Sequence, residues 1–420
     1  MCESFGDGGR RCVTEIILVL GMLAGMYMAW NIGANDVANG MASAVGAKAI
    51  SLRQAVFIGG ILDFIGATFI GSHVTATIRE NILVAQNITH DPQVMMLGLL
   101  AALLAAAFWV FFSTWSQFPV STTHSIVGAI IGFGLVSGGV KAIQWAKIST
   151  IVLSWIISPF FAGLLALLVF QFIRRAILER RNAFVRALRW SPLFAGATIF
   201  IVVLSFLMKT PLGKSLGLSD SAALGTALGS SLILAFVAQE WLGRTIRKID
   251  EEGVEEIFRR FQVFTSCYVA LAHGANDVAN AVGPVAGIYA IYSTQTVATT
   301  TPVPTWLLAG GGLFIALGVF TWGYRVIETL GCRITTLTNT RGFAVDFGTA
   351  TSVLVASKMG LPVSTTHAAV GAVIGVGLAG GLAAVDFKVV FKIVLYWVIT
   401  LPLAALPTMA IFKILMWLFH

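Results

Sequence analysis

Two short polar strings stand out in an otherwise apolar chain: "GANDVANG" at 33–40 and "PVSTTH" at 119–124. On a helix, Asn35 and Asn39 lie four residues apart and Asp36 and Asn39 three apart, so all three side chains share one face. One carboxylate with two amide carbonyls makes a hard-oxygen set carrying a single negative charge. Such a set suits a monovalent cation such as sodium. A transition metal would want nitrogen or sulfur, and calcium or magnesium would want more carboxylates or water. Gly33 is expected to unwind the backbone at this point and free carbonyls as further ligands. The same set recurs as Asn276, Asp277 and Asn280, behind Gly274, in "GANDVANA" at 274–281.

The second string suits the opposite charge. Pro119 precedes Ser121, Thr122 and Thr123, and Pro362 precedes Ser364, Thr365 and Thr366; each opens a short apolar run compatible with a helix. Proline followed by hydroxyl residues marks a helix start, where the first amide hydrogens lack partners. Inside a membrane protein such an end offers free N–H donors, three hydroxyls and the positive pole of the helix dipole. That is an anion site, and phosphate fits it best. Neither string contains lysine or arginine, so hydrogen bonds would hold the ligand and also let it go. Ser121–Thr123 and Ser364–Thr366, with Asn35 and Asn276, are assigned to phosphate. Asp36, Asn39, Asp277 and Asn280 are assigned to sodium. The blander alternatives are an ordinary capped helix start and a polar cluster that glues helices together. Duplication and an ionised aspartate in each cluster favour the functional reading. A divalent phosphate entering a low-dielectric site needs compensating charge, so ion and anion would each lower the cost of admitting the other.

Other polar residues are less determined. Asp63 and Asp346 sit in apolar surroundings and are candidates for an ion path, with a helix-end or loop placement equally open. His124 and His367 share a face with Ser121 and Ser364. A Ser–His nucleophile is conceivable, but its symmetric duplication without an orienting acid speaks against a hydrolase, and a hydrogen bond steadying the hydroxyl loop is expected instead. His273 flanks only the second cluster, breaks the symmetry, and is left out of the ligand set.

The elements that must carry these strings follow from composition. The 420 residues are 57% hydrophobic and 11% charged, with mean hydropathy +0.88. Runs such as Met95–Trp115 and Ile148–Phe172 match the length needed to cross about 30 Å of hydrocarbon as a helix. Their uniform apolarity speaks against a β-barrel. The expectation is an all-α, polytopic membrane protein of about twelve segments, several too short to cross alone. Charged residues cluster in two polar stretches: Arg174–Trp190, which nets +5 of the total +8, and Gly243–Phe261, where five acids balance five bases. The first stretch reads as a basic cytoplasmic loop at the lipid headgroups, the second as a solvated helix on the same face, and neither carries the features of a nucleic-acid site. The cysteines, Cys2, Cys12, Cys267 and Cys332, form no metal or C-x-x-C pattern and read as packing residues. Asn87 matches a glycosylation acceptor too short to carry weight.

The chain also says nearly the same thing twice. The acidic strings are offset by 241 residues and the hydroxyl strings by 243; the aspartate precedes the first hydroxyl by 85 residues in one copy and 87 in the other. Gly59, Gly60, Gly66 and Gly71 echo Gly311, Gly312, Gly318 and Gly323 at an offset of 252. Two repeats, 1–173 and 261–420, are therefore expected, with a charged joint and two further spans at 174–260. Paired, interrupted segments in two halves point to the central site of a secondary transporter.

At these residues the sequence resembles the inorganic phosphate transporter (PiT) family of sodium- or proton-coupled phosphate symporters. The resemblance covers nearly the whole chain, with both "GANDVAN" and both "PVSTTH" strings in family order. It implies inverted-topology halves, a transport domain moving against a dimeric scaffold, and electrogenic phosphate uptake in a cell membrane. It also implies ion-binding roles for Asp36 and Asp277 and phosphate contacts at Ser121–Thr123 and Ser364–Thr366. Animal members carry glutamates where Asp63 and Asp346 stand, and the long cytoplasmic insertion of those members is absent here. The expected activity is sodium-coupled phosphate symport by alternating access, with proton coupling or another oxyanion (arsenate or sulfate) as the alternative. The expected partners are phosphate, sodium, lipid and a second copy of the chain. No nucleic acid or resident cofactor is expected, since sodium is cargo. Enclosing helix caps disfavour a channel.

Overall fold

Lipid offers the backbone no hydrogen-bond partners, so each segment must satisfy its own N–H and C=O groups, and the molecule is helical throughout. In the computed structural model, residues 6–71, 91–210, 213, 215–297, 303–358 and 363–419 are described, and no strand occurs among them. Asn87 and Pro362 lie outside the described residues. In chain order the helices are α1 (Gly6–Asp36), α2 (Ala38–Gly46), α3 (Leu52–Ile70), α4 (Pro92–Trp115), α5 (Thr122–Gly138), α6 (Trp145–Ile173) and α7 (Ala183–Lys209). They continue as α8 (Asp220–Thr245), α9 (Glu251–Thr294), α10 (Thr305–Trp322), α11 (Tyr324–Glu328), α12 (Asn339–Lys358), α13 (Thr365–Ala379) and α14 (Phe387–Phe419).

Among the described residues, eight segments are long and apolar enough to cross a membrane: α1 with α2, then α3, α4, α6, α7, α8, α10 and α14. Helices α5 and α13 are equally apolar but only 17 and 15 residues long. Helices α9 and α12 have the length but carry polar clusters. Large apolar side chains such as Phe160, Phe236 and Trp417 face outward, fully in keeping with a lipid surround. The protein is an integral, multi-pass membrane protein.

Packing crosses between the two copies of the repeated strings. Helix α13 lies along α6 and α5 along α14; likewise α1 lies along α10 and α9 along α3. Glycines make the last two approaches possible. A Cβ on Gly33 would meet the Ile315 carbonyl oxygen at 1.9 Å, and one on Gly318 would meet that of Trp30 at 1.9 Å. Gly274 stands in the same relation to Asp63, at 2.2 Å, and Gly66 to Leu271, at 2.1 Å. This corrects the expected unwinding: Gly33 lies within α1, α9 runs unbroken through Gly274 for 44 residues, and both glycines are contact points. Helix α1 passes into α2 at Val37, whose φ of −54° and ψ of −27° are still helical.

The charged joint also differs from expectation. The second charged stretch is no separate helix: it ends α8, and Asp250 then caps α9 by accepting from Gly253 N at 3.1 Å. The same helix therefore runs from the charged end of the molecule to the second acidic cluster. The first stretch closes α6 with a π-helical turn, Arg174–Leu178, and opens α7, which packs on α8. Cys12 is disulfide-bonded rather than a simple packing residue, while Cys267 and Cys332 are free.

Candidate functional site

The two short helices begin as their sequences dictate. Ser121 Oγ accepts from His124 N at 3.2 Å, and Ser364 Oγ from His367 N at 3.2 Å, each an N-cap in extended backbone. The serines are thereby committed to the caps. The amides of Thr122, Thr123, Thr365 and Thr366 come before the first intrahelical bond and have no partner among the described residues. They are the donors left for a ligand.

Around these tips both acidic clusters close in, and again the copies cross. Thr122 donates to Asp36 Oδ2 at 2.7 Å, and Thr365 to Asp277 Oδ2 at 2.9 Å. The Asn39 amide donates to Thr365 and Thr366 at 3.1 and 3.0 Å, while that of Asn280 donates to Thr122 and Thr123 at 3.1 and 3.2 Å. The Thr366 hydroxyl has Asp36 Oδ1 and the Val120 carbonyl as alternative acceptors, both at 3.2 Å. No residue of this constellation is more than 5% exposed. The Asn39 Oδ1 atom is buried without a hydrogen-bond partner, which suits an oxygen reserved for a cation.

The remaining two asparagines sit differently. Asn35 donates to Thr114 Oγ1 at 2.9 Å and to the Phe118 carbonyl at 3.1 Å, and accepts from Val120 N at 3.0 Å. It fixes the chain entering α5. Asn276 is half-buried and donates to Asp277 Oδ1 at 2.8 Å.

His273, left out of the ligand set on sequence grounds, lies at the centre of the acidic groups. Its Nδ1 is 2.9 Å from Asp63 Oδ1; its Nε2 is 3.0 Å from Asp277 Oδ2 and 3.9 Å from Asp36 Oδ2. Asp36, His273 and Asp277 each offer a ligand atom within 4.8 Å of the others. Even an imidazolium would leave two of the three carboxylates uncompensated. Burying such charge is prohibitive, so the cluster demands further cations or protons. The sequence signal that points to His273 is its i, i+4 spacing to Asp277, and the first copy has no counterpart.

Comparison with known proteins settles the family. The sequence profile of the Phosphate transporter family matches residues 32–408. The chain belongs to the phosphate transporter family. A protein of Thermococcus kodakarensis bearing a phosphate permease name is 50% identical over 400 residues, spanning 95% of this chain and 98% of its own. The chloroplast inorganic phosphate transporter 2-1 of Arabidopsis thaliana is 38% identical over 445 residues, 99% of this chain and 74% of its own. Among solved structures, one titled the sodium-dependent phosphate transporter superposes with a TM-score of 0.88 at 43% identity, covering 96% of this chain and 99% of that one. This phosphate transporter is thus a carrier rather than an enzyme.

In the transporter the two outlying aspartates are mid-helix, not at helix ends or in loops. Asp63 on α3 meets His273. Asp346 on α12 accepts from Ser43 and Ser266, each at 2.5 Å. The histidines of the hydroxyl strings do not hold the hydroxyl loop through their rings. The His124 and His367 rings meet edge-on with centroids 4.3 Å apart, and they pack on Trp155 and Trp397 at 3.5 and 3.7 Å. His367 Nδ1 lies 3.1 Å from the Trp155 carbonyl. This arrangement supports the backs of the two short helices and gives no serine a base.

Proposed function

We propose that the transporter carries phosphate by sodium-coupled symport through alternating access, with halves 1–173 and 261–420 inverted about the central chamber and a second copy of the chain as scaffold partner. The observation that carries this reading is the reciprocal tether, Asn39 to Thr365 and Thr366 and Asn280 to Thr122 and Thr123. It places two sets of unpaired helix-end donors against two buried carboxylates. In this reading, the amides and hydroxyls of Thr122, Thr123, Thr365 and Thr366 hold the phosphate oxygens, with Ser121 and Ser364 presenting the helix ends. Asp36 and Asp277, with Asn39 and Asn280, hold sodium. The amides of Asn39 and Asn280 each keep the opposing tip in register, Asn35 and Asn276 position the strings, and Asp63 and Asp346 lie on the ion path.

Coupling has an electrostatic cause. Carboxylates facing a phosphate repel it, and each bound cation removes part of that repulsion, so neither ligand binds well without the other. The sodium-dependent title of the structural relative supports the choice of ion. A second reading, proton coupling, draws on His273, which touches two carboxylates and can move a proton between them. Radiolabelled phosphate uptake into proteoliposomes separates the two. An inward sodium gradient at fixed pH should drive uptake; full uptake from a pH gradient alone, without sodium, rejects the sodium assignment.

A further inference from the structure

One apolar cavity lies outside the transport site. It measures about 280 Å3 and is lined by Leu168, Phe172, Leu193, Phe194, Phe343 and Phe347, with Val169 and Ala197 completing it. Three helices form it: the end of α6, the middle turns of α7, and α12. Its lining is apolar, so water gains nothing there, and its shape and chemistry suit a hydrocarbon chain.

The chain that joins the two lining segments of α6 and α7 has the opposite character. Between the last turn of α6 and the first turns of α7 stand Arg174, Arg175, Arg180, Arg181, Arg186 and Arg189, against a single acid, Glu179. Glu179 is already paired with Arg174 at 3.2 Å. Arg175, Arg186 and Arg189 are exposed and make no ion pair among the described residues. Arg186, Trp190, Leu193 and Ala197 recur at helical spacing on one face of α7, which sets Arg186 about 10 Å along the helix from Leu193 in the apolar lining. Trp190 lies between the two and packs edge-on against Phe172 with centroids 5.1 Å apart. An amphipathic ring at that level is typical of the headgroup boundary.

We infer that this groove is a binding site for one anionic phospholipid, with Arg175, Arg186 and Arg189 on the headgroup phosphate and an acyl chain against Phe172, Leu193 and Phe347. Charge complementarity decides the occupant: a zwitterionic lipid would leave the arginine excess unbalanced, and a second protein copy would have to bring acidic residues to the same place. The chain would rest on the face of α12 beside Asp346, three residues from Phe343 and one from Phe347.

Native mass spectrometry of the intact, detergent-purified transporter tests this, using phosphatidylglycerol and phosphatidylcholine as probes. Wild type should retain phosphatidylglycerol in preference. The combined variant Arg175→Gln, Arg186→Gln, Arg189→Gln should bind it at least roughly tenfold more weakly, since each juxtamembrane arginine contributes appreciably to anionic-lipid attraction. Ala197→Trp, which fills the apolar part, should lose both lipids while keeping its elution volume and helical circular dichroism. Equal retention by the triple variant, displacement of bound lipid by inorganic phosphate, or an altered oligomeric state of Ala197→Trp with lipid retained would each overturn the assignment.

Discussion

The two copies of the hydroxyl string are identical and those of the acidic string differ at one residue, yet the two pairs behave differently in space. The hydroxyl tips are near-equivalent: the same serine cap at 3.2 Å, the same threonine-to-aspartate bond, the same crossing asparagine. The acidic surroundings are not. Asp277 has His273 and, through it, Asp63, whereas the position before Gly33 is Ile32, fully buried and apolar. A tetrahedral oxyanion can be gripped equivalently from both sides. In the proposed symport, coupling it to a gradient of smaller ions imposes no such equivalence, and there the copies differ.

The largest expected effect tests the part both copies share. Asp36→Asn and Asp277→Asn should each cut sodium-dependent phosphate uptake roughly 100-fold, the equivalent of about 3 kcal/mol for a contact to a charged group. An elution profile matching wild type must accompany the loss. Sodium dependence unchanged in both variants would reduce the clusters to helix glue. Next comes the asymmetric group. His273→Gln should lower uptake about tenfold, on the scale of one charge-assisted hydrogen bond, and alter the pH profile of uptake. Ile32→Val at the matching place should leave both within about twofold of wild type. Similar losses at the two positions would erase the proposed division of labour.

The crossing tethers sharpen the symmetric half of the comparison. Asn39→Ala and Asn280→Ala should each raise the KM for phosphate about fivefold, the scale of lost neutral hydrogen bonds, and by similar amounts; a strong inequality would mean that the tips are gripped unequally. The smallest effect lies at the charged start of α9. There the Arg259 guanidinium, 2.7 Å away, holds the Glu256 carboxyl below the usual glutamate range. A lowered folded-state pKa gives stabilisation that is present above the unfolded glutamate value and lost as pH falls through the folded one. Glu256→Gln should therefore cost at most about 0.5 kcal/mol at neutral pH and nothing in strong acid, measured by thermal unfolding in detergent.

Much of this was legible without coordinates. Composition and run length require membrane helices. The Pro-Val-Ser-Thr-Thr order requires helix starts, and the repeat requires that whatever one string does be done twice. The glycines were legible as special but not in purpose. Gly33 and Gly274 look like breaks, and their need becomes clear only beside the Ile315 and Asp63 carbonyls. Asn35 shows the same limit: its type and spacing fit a ligand, yet its three bonds go to Thr114, Phe118 and Val120.

Local chemistry along the chain thus determined the solvent, the helical class and the kinds of group available, because propensity, capping and hydropathy act over a few neighbouring residues. Only the tertiary structure decided which groups meet. Asn39 reaches a threonine 326 residues away, and His273 an aspartate 210 residues away. Contacts at such separation are fixed by how helices from the two halves pack across one another, and no local pattern encodes that.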